Sequence, residues 1–87
     1  MLRVLTLWVV SENPTCMRAV GALKSLPKLI PNHIDFQIKD IEEPHDIPIT
    51  HVPQLVFTIQ NLVVYRMIGL ENLTIEKVLN TLAMLDT

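Results

Sequence analysis

The side chains of this 87-residue chain whose types could do chemistry are one cysteine, three histidines and a short carboxylate cluster. Cys16 is the sole thiol, so it has no disulfide partner within the chain, and its sulfur is a nucleophile or a ligand only as the thiolate. It closes the run Asn13-Pro14-Thr15-Cys16. His33, His45 and His51 show no metal-ligand spacing with Cys16, so no metal site is expected. His51 stands directly before Val52-Pro53. It could tune Cys16, because histidine titrates near neutrality, or be a solvated loop residue. Asp40, Glu42 and Glu43 follow an alternating segment and read as a solvated strand end rather than an acid–base pair.

Positioning these residues falls to a few elements. Leu2 to Val10 is apolar on both faces, which predicts a buried central strand. Ser11-Glu12-Asn13-Pro14 is a helix start: Asn13 can cap, and Pro14 suits the first helical position. Cys16, Val20, Leu23 and Leu26 then recur at helical spacing, with Pro27 expected to end or kink the helix. Ile34 to Ile41 alternates apolar and polar residues, as an edge strand with one wet face does. Glu42 to Thr50 holds Pro44 and Pro48 without sustained periodicity and reads as a loop. Leu55–Ile59 and Leu62–Ile68, joined through Gln60-Asn61, must form an antiparallel hairpin. Gly69 ends it. Asn72 or Thr74 caps a last helix carrying Ile75, Val78, Leu79, Leu82 and Leu85. Trp8, Met17 and Met67 are expected to fill the core. The order is β-α-β followed by β-β-α, with the first two strands parallel and connected by a right-handed crossover.

Composition narrows the function classes. With 49% hydrophobic and 18% charged residues, the chain is too apolar for disorder. Arg3, Thr6, Gln60 and Arg66 interrupt the apolar stretches well short of the roughly 18 residues a membrane span requires. The cations Arg3, Arg18, Lys24, Lys28, Lys39, Arg66 and Lys77 are scattered, and the net charge is −2. No phosphate-neutralising patch results, so no nucleic-acid partner is expected. Residues 1–10 lack the small-residue cleavage site of a signal peptide and read as a strand. A chain of this length holds one domain, residues 1–87. A single cysteine fits a reducing compartment, so the expectation is the cytoplasm.

Asn13-Pro14-Thr15-Cys16-Met17-Arg18-Ala19, set directly after the first strand, resembles the glutaredoxin active site. That site is a Cys-Pro-x-Cys turn opening a helix, and Asn13 stands where the first cysteine would. Thr50-His51-Val52-Pro53-Gln54-Leu55-Val56-Phe57 resembles the Val-Pro that opens the third strand in glutaredoxins and thioredoxins. Ile68-Gly69-Leu70 resembles the family's Gly-Gly before the last helix, without its second glycine. The resemblance implies a thioredoxin-like α/β fold, β-α-β-β-β-α, with a four-stranded mixed sheet and helices on its faces. It implies a cis bond before Pro53, with that proline against the active-site turn. The Val52 backbone would pair with an extended peptide, which makes His51, Val52, Pro53 and Gly69 candidate contacts to a peptide or thiol ligand. Glutathione, a protein thiol or a protein partner are the ligands implied, and no cofactor is.

The departures from that pattern bear on activity. In the family the first cysteine is the nucleophile, its thiolate stabilised by the helix N-terminus. Asn13 cannot supply it, though asparagine is among the best N-caps. The resemblance then implies weak or absent dithiol exchange and at most monothiol chemistry through Cys16, which otherwise serves as a small hydrophobe under the turn. Ser11 and Glu12 stand where glutaredoxins carry a basic residue, against glutathione binding. The link from the second strand to Pro53 is short, so the helix usual there is truncated or absent. Leu7-Trp8-Val9-Val10, Pro14, Arg18-Ala19-Val20 and Glu76-Lys77-Val78-Leu79 are also similar to the KaiB family, whose members share the fold and act by docking onto partner proteins. That likeness implies a non-catalytic interaction module as the alternative.

Overall fold

Alternation of side chains along one strand decides the layering. In the computed structural model, which describes residues 2–45 and 47–85, β1 spans Arg3–Val9. Successive side chains of a strand point to opposite faces. Leu5, Leu7 and Val9 therefore share one face, and Thr6 and Trp8 the other; all five are buried. β1 pairs in parallel with β2 (Ile34–Asp40) and antiparallel with β3 (Gln54–Ile59). β4 (Leu62–Ile68) lies outside β3, giving a mixed sheet in the order β2-β1-β3-β4. The apolar run of β1 thus occupies an interior position, and the alternating β2 lies at an edge.

Gln60 and Asn61 join β3 to β4 with φ of 54° and 67°. Both are in the left-handed region that a two-residue hairpin loop of matching twist requires. A register shift between Phe57 and Thr58 leaves Val64 without an opposite residue on β3, a bulge that bends the strand.

The helical elements are α1 (Pro14–Ala22), α2 (Leu26–Leu29), a 3₁₀ turn at Leu70–Asn72, and α3 (Ile75–Leu85). Cys16, Ala19, Leu23 and Leu26 from the first helical region, with Leu73, Val78 and Leu82 from the last, cluster with Leu5, Leu7, Val9, Leu55 and Phe57. Those strand residues share a face, so the helices pack on that face alone. The resemblance implies helices on the sheet's faces, and the short β2–β3 link implies that its usual helix is truncated or absent; the second expectation describes the bare face. The β2–β3 connection, residues 41–53, forms no helix among its described residues. Pro44 and Pro48 lack the amide a helix interior needs.

Two local expectations also change. α1 ends at Ala22, ahead of Pro27, and Pro27 lies in the first turn of α2, where amides have no intrahelical partner to lose. Met17, expected in the core, is 45% exposed, because the inward side of α1 is taken by Cys16 and Ala19. Met67 packs against the core at its margin. Of the two caps considered for α3, Thr74 supplies it: its hydroxyl accepts from the Lys77 amide at 3.2 Å. Asn72 instead donates from Nδ2 to the Ile68 carbonyl at 2.8 Å. No described helix is long and apolar enough to cross a membrane.

Candidate functional site

Register brings the chemically interesting residues to one end of the sheet. Trp8 is opposite Gln54, Gln54 opposite Ile68, and Val9 beside Asp40. The ends of β1, β2 and β4 and the start of β3 therefore coincide there. The α1 start follows β1, the His51–Pro53 segment precedes β3, and Gly69 follows β4.

At the α1 start, the Asn13 side-chain oxygen accepts from the Cys16 amide at 3.1 Å. Asn13 has extended backbone angles, and its carbonyl accepts the first helical bond from the Met17 amide at 2.9 Å. This is an N-cap, and it satisfies one of the amides a helix start leaves open. Pro14 begins the helix, and Thr15 is exposed beside it. Cys16 is 0% exposed. Its sulfur accepts a hydrogen bond from the Val10 amide at 3.4 Å, so the thiol packs under the turn and ties it to the end of β1.

The facing segment is held as closely. The Val52–Pro53 peptide bond is cis, and Pro53 is fully buried. Val52 packs against the cluster that contains Cys16. The Gly69 amide donates to the Pro53 carbonyl at 3.2 Å. Gly69 has φ of 92°, a left-handed backbone conformation that favours glycine. His51 is exposed, and its Nδ1 pairs with the Thr50 hydroxyl at 2.9 Å. His45 lies farther along the loop, over Trp8, with ring centroids 4.8 Å apart. Among the described residues, no group of three or more His, Cys, Asp or Glu could hold a metal ion.

Solved structures that superpose on this chain include thioredoxins. The germline-specific thioredoxin Deadhead of Drosophila melanogaster superposes with a TM-score of 0.76 at 17% identity, over 95% of this chain and 80% of that one. The chain has the thioredoxin fold. Fasciola hepatica thioredoxin gives 0.74 at 19% identity, over 94% of this chain and 79% of that one. Thioredoxin O2 of Arabidopsis thaliana in its oxidized state gives 0.73 at 14% identity, over 97% and 75%. No protein-family model matches the sequence, and no curated protein does. The likeness is one of fold, and residues must carry any reading of activity.

Two sets of contacts around this thioredoxin-fold site were missed by sequence reasoning. Asp40 is a tether as well as a strand end. One carboxylate oxygen accepts from the Ser11 amide at 3.0 Å and closely from the Ser11 hydroxyl, and the other from the Glu42 amide at 2.9 Å. The Ser11 hydroxyl first, then the Glu42 amide, hold this carboxyl below the usual carboxylate range, outweighing the opposing effect of desolvation. The tether fixes the segment before Asn13 to β2. Its signal lay in the parallel pairing of β1 and β2, which sets Val9 beside Asp40 and so brings Ser11, two residues on, to the same strand end. In the second set, Gln54, 1% exposed, accepts from Arg66 at 2.6 Å and donates to the His51 carbonyl at 3.1 Å. Arg66 also donates to the Pro48 carbonyl at 3.0 Å. This network holds the loop ahead of Pro53 against the sheet.

Proposed function

We propose that this chain is a glutaredoxin- or thioredoxin-like protein with weak or no dithiol oxidoreductase activity. The observation that carries the reading is the pairing of Asn13 with Cys16: the residue in the place of the nucleophile is an N-cap, and the one thiol is fully buried. Dithiol exchange needs a thiolate to attack a disulfide and a second thiol to resolve the mixed disulfide. The chain supplies one thiol, so Cys16 supports at most monothiol chemistry. A lone thiol stays reduced in the cytoplasm, where this reading places the protein.

The test is reduction of insulin disulfides by the wild type and by Asn13→Cys, with dithiothreitol as reductant. Wild type should match the reductant alone, and Asn13→Cys should accelerate reduction. Wild-type turnover comparable to that of the variant would overturn the reading.

The burial of Cys16 also favours one of the implied ligands over the others. Glutathione or a protein thiol would have to reach a sulfur with no exposed surface. A protein partner meeting exposed His51 and half-buried Val52 at the sheet end needs no thiol. We therefore favour a binding role at this end. It predicts a partner, recovered from cell extract, whose capture is lost with Val52→Asp and kept with Cys16→Ser; the reverse pattern would restore the thiol reading.

A further inference from the structure

Both ring nitrogens of His45 face backbone carbonyl oxygens. Nδ1 lies 2.7 Å from the Ile47 carbonyl oxygen and Nε2 3.1 Å from that of Ile41. A carbonyl oxygen only accepts, and a neutral imidazole has a single N–H to donate. Either neutral tautomer therefore sets a nitrogen lone pair against an oxygen. Only the imidazolium, a donor at both nitrogens, makes both bonds. The same ring stands over Trp8 with centroids 4.8 Å apart, within the roughly 6 Å at which an aromatic ring attracts a cation. Trp8 beneath it is 3% exposed, and its indole N–H is buried without a hydrogen-bond partner among the described residues. A buried donor left unpaired carries a desolvation cost, which water would relieve if the loop lifted. The closed loop is thus held by the histidine against a penalty from the tryptophan.

We propose that His45 is a pH-sensitive clasp. Its second proton closes the loop between β2 and Pro48 over Trp8, and loss of that proton releases the loop and opens the groove that Trp8, Pro44, His45 and Ile47 border. Histidine exchanges such a proton between about pH 5 and about pH 8. Protonation adds a hydrogen bond and an attracted charge to the closed form alone, so closure is favoured as pH falls and lost as pH rises. β1 presents no charge to the ring, since Val4, Thr6 and Trp8 are its residues along the groove. From β2, Lys39 stands beside Trp8 and Asp35 beside Val4, one cation and one anion on the same groove. Glu42, Glu43 and Asp46 are the acidic neighbours of His45 in sequence. Asp40 anchors the start of the loop through the Glu42 amide. Its carboxyl is held below the usual carboxylate range, so that anchor stays ionised while the histidine titrates.

Trp8 is the sole tryptophan, so acrylamide quenching of the fluorescence of the full chain reads the clasp. The quenching constant should be low at about pH 5 and rise sigmoidally towards about pH 8. His45→Gln should abolish the sigmoid, while His51→Gln, which alters the other histidine of this connection, should keep it. A flat wild-type profile, a rise unchanged in His45→Gln, or a rise removed by His51→Gln overturns the proposal. Should His45→Gln fail to fold, ring-nitrogen magnetic resonance on the wild type decides. The Trp8 indole N–H signal should shift with the same midpoint at which His45 gives up its second proton. Different midpoints, or an indole signal that does not move, reject the clasp.

Discussion

The two faces of the sheet solve one burial problem by different means. On the helix-clad face, Leu5, Leu7, Val9, Leu55 and Phe57 meet the apolar sides of α1, α2 and α3. On the opposite face, Thr6, Trp8, Gln54, Val56 and Thr58 are also buried, yet no helix covers them. Trp8 lies under the His45 ring, and Gln54 is fastened through Arg66 to the 41–53 connection. Beside them the face opens into a groove of about 470 Å³ bounded by Val4, Trp8, Gln37, Lys39, His45 and Thr58. A helix buries a sheet through many weak apolar contacts. A loop without one must do so through a few directional bonds, each of which then matters more.

The contrast can be broken most severely on the clad face. Leu7→Ala removes a fully buried side chain from the centre of the cluster and should cost about 2–5 kcal/mol, read from urea unfolding. On the other face, Gln54→Leu keeps the bulk but takes the acceptor from Arg66 and the donor from the His51 carbonyl. It should cost about 1–3 kcal/mol, with faster hydrogen exchange in residues 47–53. An equal change of exchange on both faces would show that Gln54 does not hold the loop. Asn13→Ala removes the α1 cap and should cost about 1 kcal/mol, with the loss of amide protection concentrated at Cys16. The smallest effect belongs to the Asp40 tether between the two strand ends. Its folded carboxyl titrates below the unfolded value of about 4, so its contribution is present above that value and fades as pH falls through the folded one. Asp40→Asn should therefore show a shallower fall in melting temperature between about pH 6 and about pH 3 than wild type. Parallel curves would assign no role to the tether.

Several of these features could be read locally. The apolar run of β1, the Asn13-Pro14 helix start, the Gln60-Asn61 hairpin and the Gly69 break each depend on residues within a pleat or a turn of one another. Met17 was misjudged because α1 is short and its inward side is narrow. One residue of rotation separates Cys16, with no exposure, from Met17 at 45%. The absence of a helix between β2 and β3 was legible as well, because the link ahead of Pro53 is short and holds Pro44 and Pro48, so it reads as a loop where the family pattern carries a helix.

By itself, then, the amino-acid order determined the strand and helix succession, the Asn13 cap of α1 and the presence of a single thiol, since each follows from residue type and near-neighbour spacing. Only the tertiary structure decided which face lies without a helix, that Ser11 and Asp40 meet across 29 positions of chain, and that Gln54 and Arg66 meet across 12. Those outcomes rest on strand register and side-chain direction, which the packing of the whole sheet sets and no local window contains.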